Sequence, residues 1–246
     1  SVIILLLILI IFYLSFFGIK TDKFNDNITN KILEINKNVN LKLEKVNFLL
    51  DPYNFTVNVM TVNPKIYFED NQLEIKSIKT NISLKTLLDR QFFIDDIQIL
   101  TNEIKINDAI SLVKYFDNPV ELFLLDRFTE GGSLMADIKL NFDNSGNIKQ
   151  DYQINGFIKK GKFNFLNQIR IKNLNFDFNI SNDRYTLTKI KTELNNIELL
   201  SQLIQINKKK DLFFVKGNIA TIEKNFDVEQ LSFLLGSFLT NLDMKI

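Results

Sequence analysis

The 246 residues include no cysteine, no histidine and only three prolines. The first two absences together remove disulfides, thiolate nucleophiles, imidazole bases and the usual zinc ligands. An excess of one charge is also lacking: 30 Lys and Arg stand against 29 Asp and Glu, a formal net charge of +1. No global field therefore draws the chain to nucleic acid or to an anionic surface, and no nucleic-acid partner is expected. Glycine-rich phosphate loops, nucleophile elbows and carboxylate sets at metal spacing are missing too. Asp95-Asp96 comes nearest to a paired acid, but adjacent strand residues point to opposite faces. The chain reads as a non-enzyme with no cofactor and no metal. Its four Asn-x-Ser/Thr triplets, at Asn27, Asn54, Asn81 and Asn179, are what an Asn-rich chain yields by chance.

What is present begins with an apolar run. Residues 2 to 19, VIILLLILIIFYLSFFGI, carry no charge and no polar face. As a helix they would measure roughly 27 Å at 1.5 Å per residue, close to the hydrocarbon thickness of a bilayer. No small-x-small cleavage site follows, so the run is expected to be an uncleaved, single-pass transmembrane anchor. The chain opens on Ser1 rather than Met, so basic residues that would set orientation are expected to lie upstream. Residues 20 to 37 are expected to form an amphipathic exit helix with Phe24, Ile28, Ile32 and Ile35 on one face.

From Val39 the beat changes from helical spacing to alternation. Val39, Leu41 and Leu43, then Phe55, Val57 and Val59, then Ile66 and Phe68 mark strands broken at Asp51-Pro52 and Asn63-Pro64. Strands near 73–84 and 94–106 complete a first β segment over 38–106. Residues 107–130 lose the alternation and predict two short helices divided by Pro119, with Asn107 or Asp108 as N-cap and Gly131-Gly132 as the stop. A second β segment, 131–226, opens with Leu134, Ala136, Ile138, Leu140 and Phe142 in strict alternation. DNSGN at 143–147 and SerAsnAsp at 181–183 are turns. Lys208-Lys209-Lys210 is expected in a solvated turn, and residues 227–246 in an amphipathic C-terminal helix.

The predicted fold class is mainly β with a few helices: an N-terminal transmembrane helix, then a curved antiparallel β-meander. Strands apolar on one face need that face covered, by a second sheet, by helices or by closure into a barrel. The predicted helices cover only part of about ten strands, which leaves an open groove. Two readings stay open: a groove for acyl chains, or a closed core belonging to a structural module that recruits other proteins.

One stretch carries a resemblance. The run at 2–19, the helix at 20–37, Val57 and Val59, Ile82-Ser83-Leu84, the pair Leu87-Leu88 and Ile94-Asp95-Asp96-Ile97-Gln98-Ile99 follow one another in an order that resembles the N-terminal region of the AsmA family. That family is related to TamB-like and chorein-type bridge lipid transfer proteins. Residues 134–220 are similar only as a general β-meander. The chain departs from the family in being shorter and in lacking a proline at the Leu-Leu pair, as a fragment of a divergent member would. The resemblance implies a protein anchored in the bacterial inner membrane with its bulk in the periplasm. It implies phospholipid movement between inner and outer membranes, or outer-membrane assembly, with phospholipid acyl chains and envelope proteins as partners. The expected groove lining is Val57, Val59, Ile66, Phe68, Ile82, Leu84, Ile97, Ile99, Ile104 and Ile106, continued by Leu140, Phe142, Ile154, Phe176 and Phe178. Leu87 and Leu88 are expected to plug the groove or dock at the sheet edge.

Overall fold

The computed structural model describes residues 2–23, 25–26, 29–30, 33, 37–68, 71–85, 96–114, 120–143, 149–165, 169–209 and 212–221. Helix α1 (Val2–Phe16) leads into β1 (Ile19–Thr21), followed by β2 (Val39–Lys42), β3 (Val46–Asp51), β4 (Thr56–Val62), β5 (Lys65–Phe68), β6 (Asn71–Ser83), β7 (Asp96–Thr101) and β8 (Ile104–Lys105). Helices α2 (Ile106–Lys114) and α3 (Val120–Phe128) follow. The chain continues through β9 (Thr129–Asn141), β10 (Gln153–Phe165), β11 (Ile169–Ser181), β12 (Arg184–Leu194), β13 (Ile197–Lys209), β14 (Leu212–Gly217) and β15 (Ala220–Thr221).

All strands belong to one antiparallel sheet of 15 strands, whose main path runs β1-β3-β4-β6-β7-β9-β10-β11-β12-β13-β14. The path has two ends and does not close on itself. Strands β2 and β5 leave this path through β6 and form a small side sheet.

Three apolar clusters hold the fold. Leu41, Leu43, Val46, Val59 and Ile82 pack where β2 folds over the start of the main sheet. Val39, Phe68, Leu73 and Ile75 continue that core along β5 and β6. Ile106 and Ile110 of α2 close on Phe163, with Leu134, Ile158 and Leu174 around them. The alternation in β6 explains its share, since Leu73, Ile75 and Ser77 are buried while Glu74 and Lys76 are exposed, as the two-residue side-chain period requires.

The start of the chain differs from the expected continuous span. Helix α1 covers 15 residues, about 22 Å at 1.5 Å per residue. Among the described residues no helix is long and apolar enough to cross a membrane. The helix stops because the Phe17 and Gly18 N–H groups both donate to the Tyr13 carbonyl, and Gly18 turns into the left-handed region at φ 64°. Only glycine fits there, since a Cβ would lie 2.4 Å from the Phe48 carbonyl oxygen. Ile19, Lys20 and Thr21 then pair with Phe48, Asn47 and Val46. The first residues of the expected exit helix are therefore a strand, drawn into the sheet by the open edge of β3. Phe24, Ile28, Ile32 and Ile35 lie outside the described residues. Asn25 donates to the carbonyls of Leu43 and Glu44, and Thr29 to that of Leu41, which places these two residues beside β2 and the turn after it.

Other boundaries shift for local reasons. Ile106, expected in a strand, opens α2, and its side chain is buried against Phe163. Asn107 does not cap that helix from outside; its amide donates to the Thr129 carbonyl. Thr129 ends α3 by donating its hydroxyl to the Leu125 carbonyl, and the chain passes straight into β9. Gly131 and Gly132 therefore sit within a strand instead of stopping a helix. Gly132 is needed where β9 crosses β10, because a Cβ there would stand 2.7 Å from the Gly161 Cα. Leu84 falls one residue past β6, its N–H bonded to the Phe55 carbonyl. Phe142 lies just beyond β9. Leu87 and Leu88, residues 144–148, Lys210 and the segment 222–246 fall outside the described residues.

A diagonal of irregularities crosses β9 to β12. Register slips occur within Ile158–Phe163 of β10, between Lys172 and Asn175 and between Asn175 and Asp177. Lys160, Asn173 and Lys189 take left-handed backbone conformations there. Such bulges bend strands and increase twist. They separate the half of β9–β11 that packs on α2 from the half beyond it.

Candidate functional site, an uncovered apolar face

Because every pair in the main path is antiparallel and in register at one level, a single file of residues can be followed across the sheet. It runs Thr21, Val46, Thr61, Ile78, Ile99, Ile138, Ile154, Ile180, Tyr185, Ile206, Val215, each directly opposite the next. Eleven strands at about 4.8 Å spacing give a width of roughly 48 Å. The neighbouring level, Lys20, Asn47, Met60, Lys79, Gln98, Lys139, Gln153, Ser181, Arg184, Asn207, Phe214, points to the other face and is polar except for Met60 and Phe214. One sheet thus separates an apolar face from a wet one over its full width.

The apolar face is sealed at one end and open at the other. Val46 is 0% exposed, beneath the cover of Leu41 and Leu43. Ile78, Ile99, Ile138, Ile154, Ile180, Tyr185 and Ile206 are all half-buried, and Val215 is 67% exposed. Among the described residues, Ile138, Ile154, Ile180, Tyr185 and Ile206 belong to none of the three buried clusters. A side chain in a closed core touches neighbours on every side and is buried; these five are only partly buried.

The expected lining residues divide along this gradient. Val59, Phe68, Ile82 and Ile106 are buried in the packed clusters, so they are core, not open lining; the cover of β2, β5 and α2 is the reason. Val57, Ile66 and Ile104 flank those clusters, half-buried. Ile97, Leu140, Ile154, Phe176 and Phe178 stand half-buried on the uncovered face, while Ile99, also half-buried, packs against the cluster of Val39, Phe68, Leu73 and Ile75. Leu84 and Phe142 lie at strand ends, half-buried. Ile138, Ile180, Tyr185, Leu187, Ile204 and Ile206 also belong to this face but are not among the expected lining. Ile138 of β9, Ile180 of β11 and Tyr185 and Leu187 of β12 alternate openly in the sequence, whereas in β13 the alternation of Ile204 and Ile206 is obscured by Leu199, Leu200 and Leu203.

The floor has texture. Ala136, Gly156, Phe178, Leu187, Ile204 and Gly217 form a second file on the same face. Phe176 and Phe178 contact each other with ring centroids 6.1 Å apart. Where β7 ends, the Thr101 hydroxyl accepts the Ala136 N–H at 2.8 Å, so the ladder passes to a side chain without leaving a buried donor unpaired. The charged groups lie on other surfaces: Lys159 bonds Glu103, and Lys189 bonds Asp177, whose carboxylate raises the lysine above its ordinary pKa. A hollow of about 290 Å³, bordered by Asn47, Asn58, Met60, Lys79 and Gln98, opens on the polar side and not on the apolar file.

Fold and site together define a mainly β protein built on one open antiparallel sheet with an incompletely covered apolar face. No known protein family, curated protein or solved structure matches the chain.

Proposed function

We propose that the chain is a membrane-anchored, AsmA-like periplasmic protein that binds and conducts phospholipid acyl chains along a hydrophobic β-groove, in lipid transport between inner and outer membranes or in outer-membrane assembly. One observation carries the reading: the register file from Val46 to Val215, apolar except for Thr61, buried at Val46, half-buried from Ile78 to Ile206 and exposed at Val215. Each methylene removed from water is worth about 0.8 kcal/mol, so a chain of roughly 16 carbons lying along this face gains on the order of 10 kcal/mol. The mechanism needs burial and release only, with no bond made or broken. An uninterrupted file replaces a crossing through water by a slide along the sheet. Helix α1, with every residue from Val2 to Tyr13 exposed and apolar, supplies the attachment to the inner membrane. Its length of about 22 Å reaches past the midplane of a hydrocarbon core roughly 30 Å thick.

A second reading is favoured by the sealed clusters around Val46 and Phe68. On that reading the sheet is a structural or assembly module, and its free strand edges recruit envelope proteins. Site-specific photocrosslinking in cells separates the two. Probes at Ile99 and Ile154 are compared with probes at Gln98 and Gln153 on the polar face. Phospholipid adducts at the isoleucines alone support the groove; adducts only within the protein at all four positions give the assembly module the lead.

A further inference from the structure

The β3–β4 hairpin turns through Asp51-Pro52-Tyr53-Asn54-Phe55, and its two aromatic side chains are largely uncovered: Tyr53 is 92% exposed and Phe55 70%. Nothing in the core calls for them. The turn is nevertheless rigid. Asp51 Oδ1 accepts the N–H groups of Tyr53 at 3.1 Å and Asn54 at 3.0 Å, and Asn54 Nδ2 donates to Asp51 Oδ2 at 2.8 Å. These bonds, the Asn54 side chain first, hold the Asp51 carboxyl below its ordinary pKa. The Phe55 carbonyl is fixed from the other side by the Leu84 N–H at 2.9 Å. Phe55 itself lies in the left-handed region at φ 53°. Among the described residues the other seven non-glycine positions with positive φ are Asn or Lys. A bulky residue is disfavoured there, and such strain persists where surrounding structure imposes it.

Position supplies the meaning. Strand β3 runs antiparallel to β1, so its course from Phe48 to Asp51 heads the same way as the chain traced back from Ile19 into α1. Gly18 sits against Phe48 and Leu49, and the end of α1 lies beside β3. The hairpin tip therefore projects about 10 Å beyond the junction, on the side where α1 leaves the sheet. Phe16 and Phe17, just before the Gly18 junction, are exposed as well, at 67% and 66%. The tip residues 52–55 carry no charge. Tyrosine and phenylalanine at such a level suit the boundary between headgroups and acyl chains, where one end of a ring is wet and the other dry.

We infer that the 51–55 hairpin is a second, interfacial membrane contact that seats Tyr53 and Phe55 in the same bilayer as α1 and so fixes the orientation of the sheet on the membrane. The inference rests on the reading of α1 as a membrane anchor. A single helix joined at one glycine leaves the sheet free to tilt; a second foothold at the hairpin tip removes that freedom.

The chain has no tryptophan, so each single substitution introduces one clean fluorophore. The full chain is prepared as L9W, Y53W, F55W and Q72W, the last at the opposite end of β6. Each is reconstituted into phosphatidylcholine vesicles with and without bromine on the middle of the acyl chains. The expected result is blue-shifted, bromine-quenched emission for L9W, Y53W and F55W, and unshifted, unquenched emission for Q72W. Quenching at L9W with water-like emission at Y53W and F55W overturns this inference and leaves the anchor standing. A blue shift at Y53W and F55W without bromine quenching means burial against protein, and overturns it as well. Absence of quenching at L9W removes the anchor, and the inference falls with it.

Discussion

Phe178 stands opposite Gly156 across the β10–β11 pair, and a Cβ placed on Gly156 would lie 2.6 Å from the tip of its ring. Gly156 in turn faces the small Ala136 on β9. The ring thus reaches over β10 into a seat made by two small residues, which keeps the file low at this point. The Gly156 position is tighter still toward the backbone, with the Met135 carbonyl oxygen 2.1 Å from the added carbon.

Gly156→Ala is therefore expected to destabilise the sheet by about 1–3 kcal/mol, the usual cost of overpacking. For a chain of this size each kcal/mol lowers the melting temperature by roughly 2–4 °C. Thermal unfolding followed by circular dichroism measures the drop. Adding Phe178→Leu to the same variant relieves the contact with the ring but not that with the Met135 carbonyl, so recovery is expected to be partial. Full recovery would show that the ring alone occupies the seat.

Glu103 ties three strands at one corner. It follows β7, accepts the Ser133 hydroxyl of β9 at 2.6 Å and pairs with Lys159 of β10 at 3.2 Å. The Ser133 hydrogen bond, then the one from Lys159, lowers its pKa below the ordinary value. A carboxylate depressed in the folded state contributes stability that is complete above its unfolded pKa, near about 4.3, and is lost as pH falls through the lower folded value. Denaturant titrations at neutral pH and at acid pH are expected to show a smaller acid loss in Glu103→Gln than in the parent chain. An equal acid loss in both would remove Glu103 from the account.

The alternation of Leu134, Ala136, Ile138 and Leu140 marks β9 unambiguously, and Asn182-Asp183 makes the tight turn that SerAsnAsp announces. Pro119 falls between two helices of nine residues each. These features were legible because each is decided within a few residues of chain. Strand β1 was not, because Ile19 prolongs an apolar run and only the distant edge of β3 makes it a strand. The left-handed bulges at Lys160 and Lys189 leave no local trace, since lysine carries no turn preference. For the site, alternation identified Ile99 and Ile154 as facing inward. Which inward face is sealed, as at Phe68, and which stays open, as at Ile154, depends on where β2, β5 and α2 come to rest, and that is a long-range matter.

The two helices meet through an ion pair between Lys114 of α2 and Asp126 of α3, both side chains partly exposed at 25% and 35%. Lys114 also lies 5.9 Å from the centre of the Phe123 ring. Exposed or half-exposed pairs of this kind contribute about 0.2–1 kcal/mol. Asp126→Asn is expected to lower stability within that range, and the difference from the parent chain is expected to shrink when unfolding is repeated at about 1 M salt, where the screening length falls to roughly 3 Å. A difference that survives salt unchanged would point to lost packing of α3 over Phe165 and not to the charge.

The sharpest prediction concerns the open face itself. A carboxylate at Ile154 or Ile180 would stand on the half-buried apolar file, where burying it beneath an acyl chain costs several kcal/mol unless it is paired. With no lipid present the same half-buried side chain can still bring its carboxylate to water at the sheet surface, so the cost to folding is smaller than in the sealed end. On the groove reading, Ile154→Glu and Ile180→Glu are therefore expected to keep the parent melting temperature within a few degrees and to carry much less phospholipid through purification than the parent chain, measured by mass spectrometry of extracted lipid. Gln153→Glu, one residue away on the polar face, is expected to retain it. At Val46, in the sealed end, the same acidic substitution is expected to unfold the domain, because nothing there can admit water. If lipid content were the same in Ile154→Glu, Ile180→Glu and Gln153→Glu, the apolar file would not be where lipid resides, and the half-buried face would have to be explained by contact with another protein.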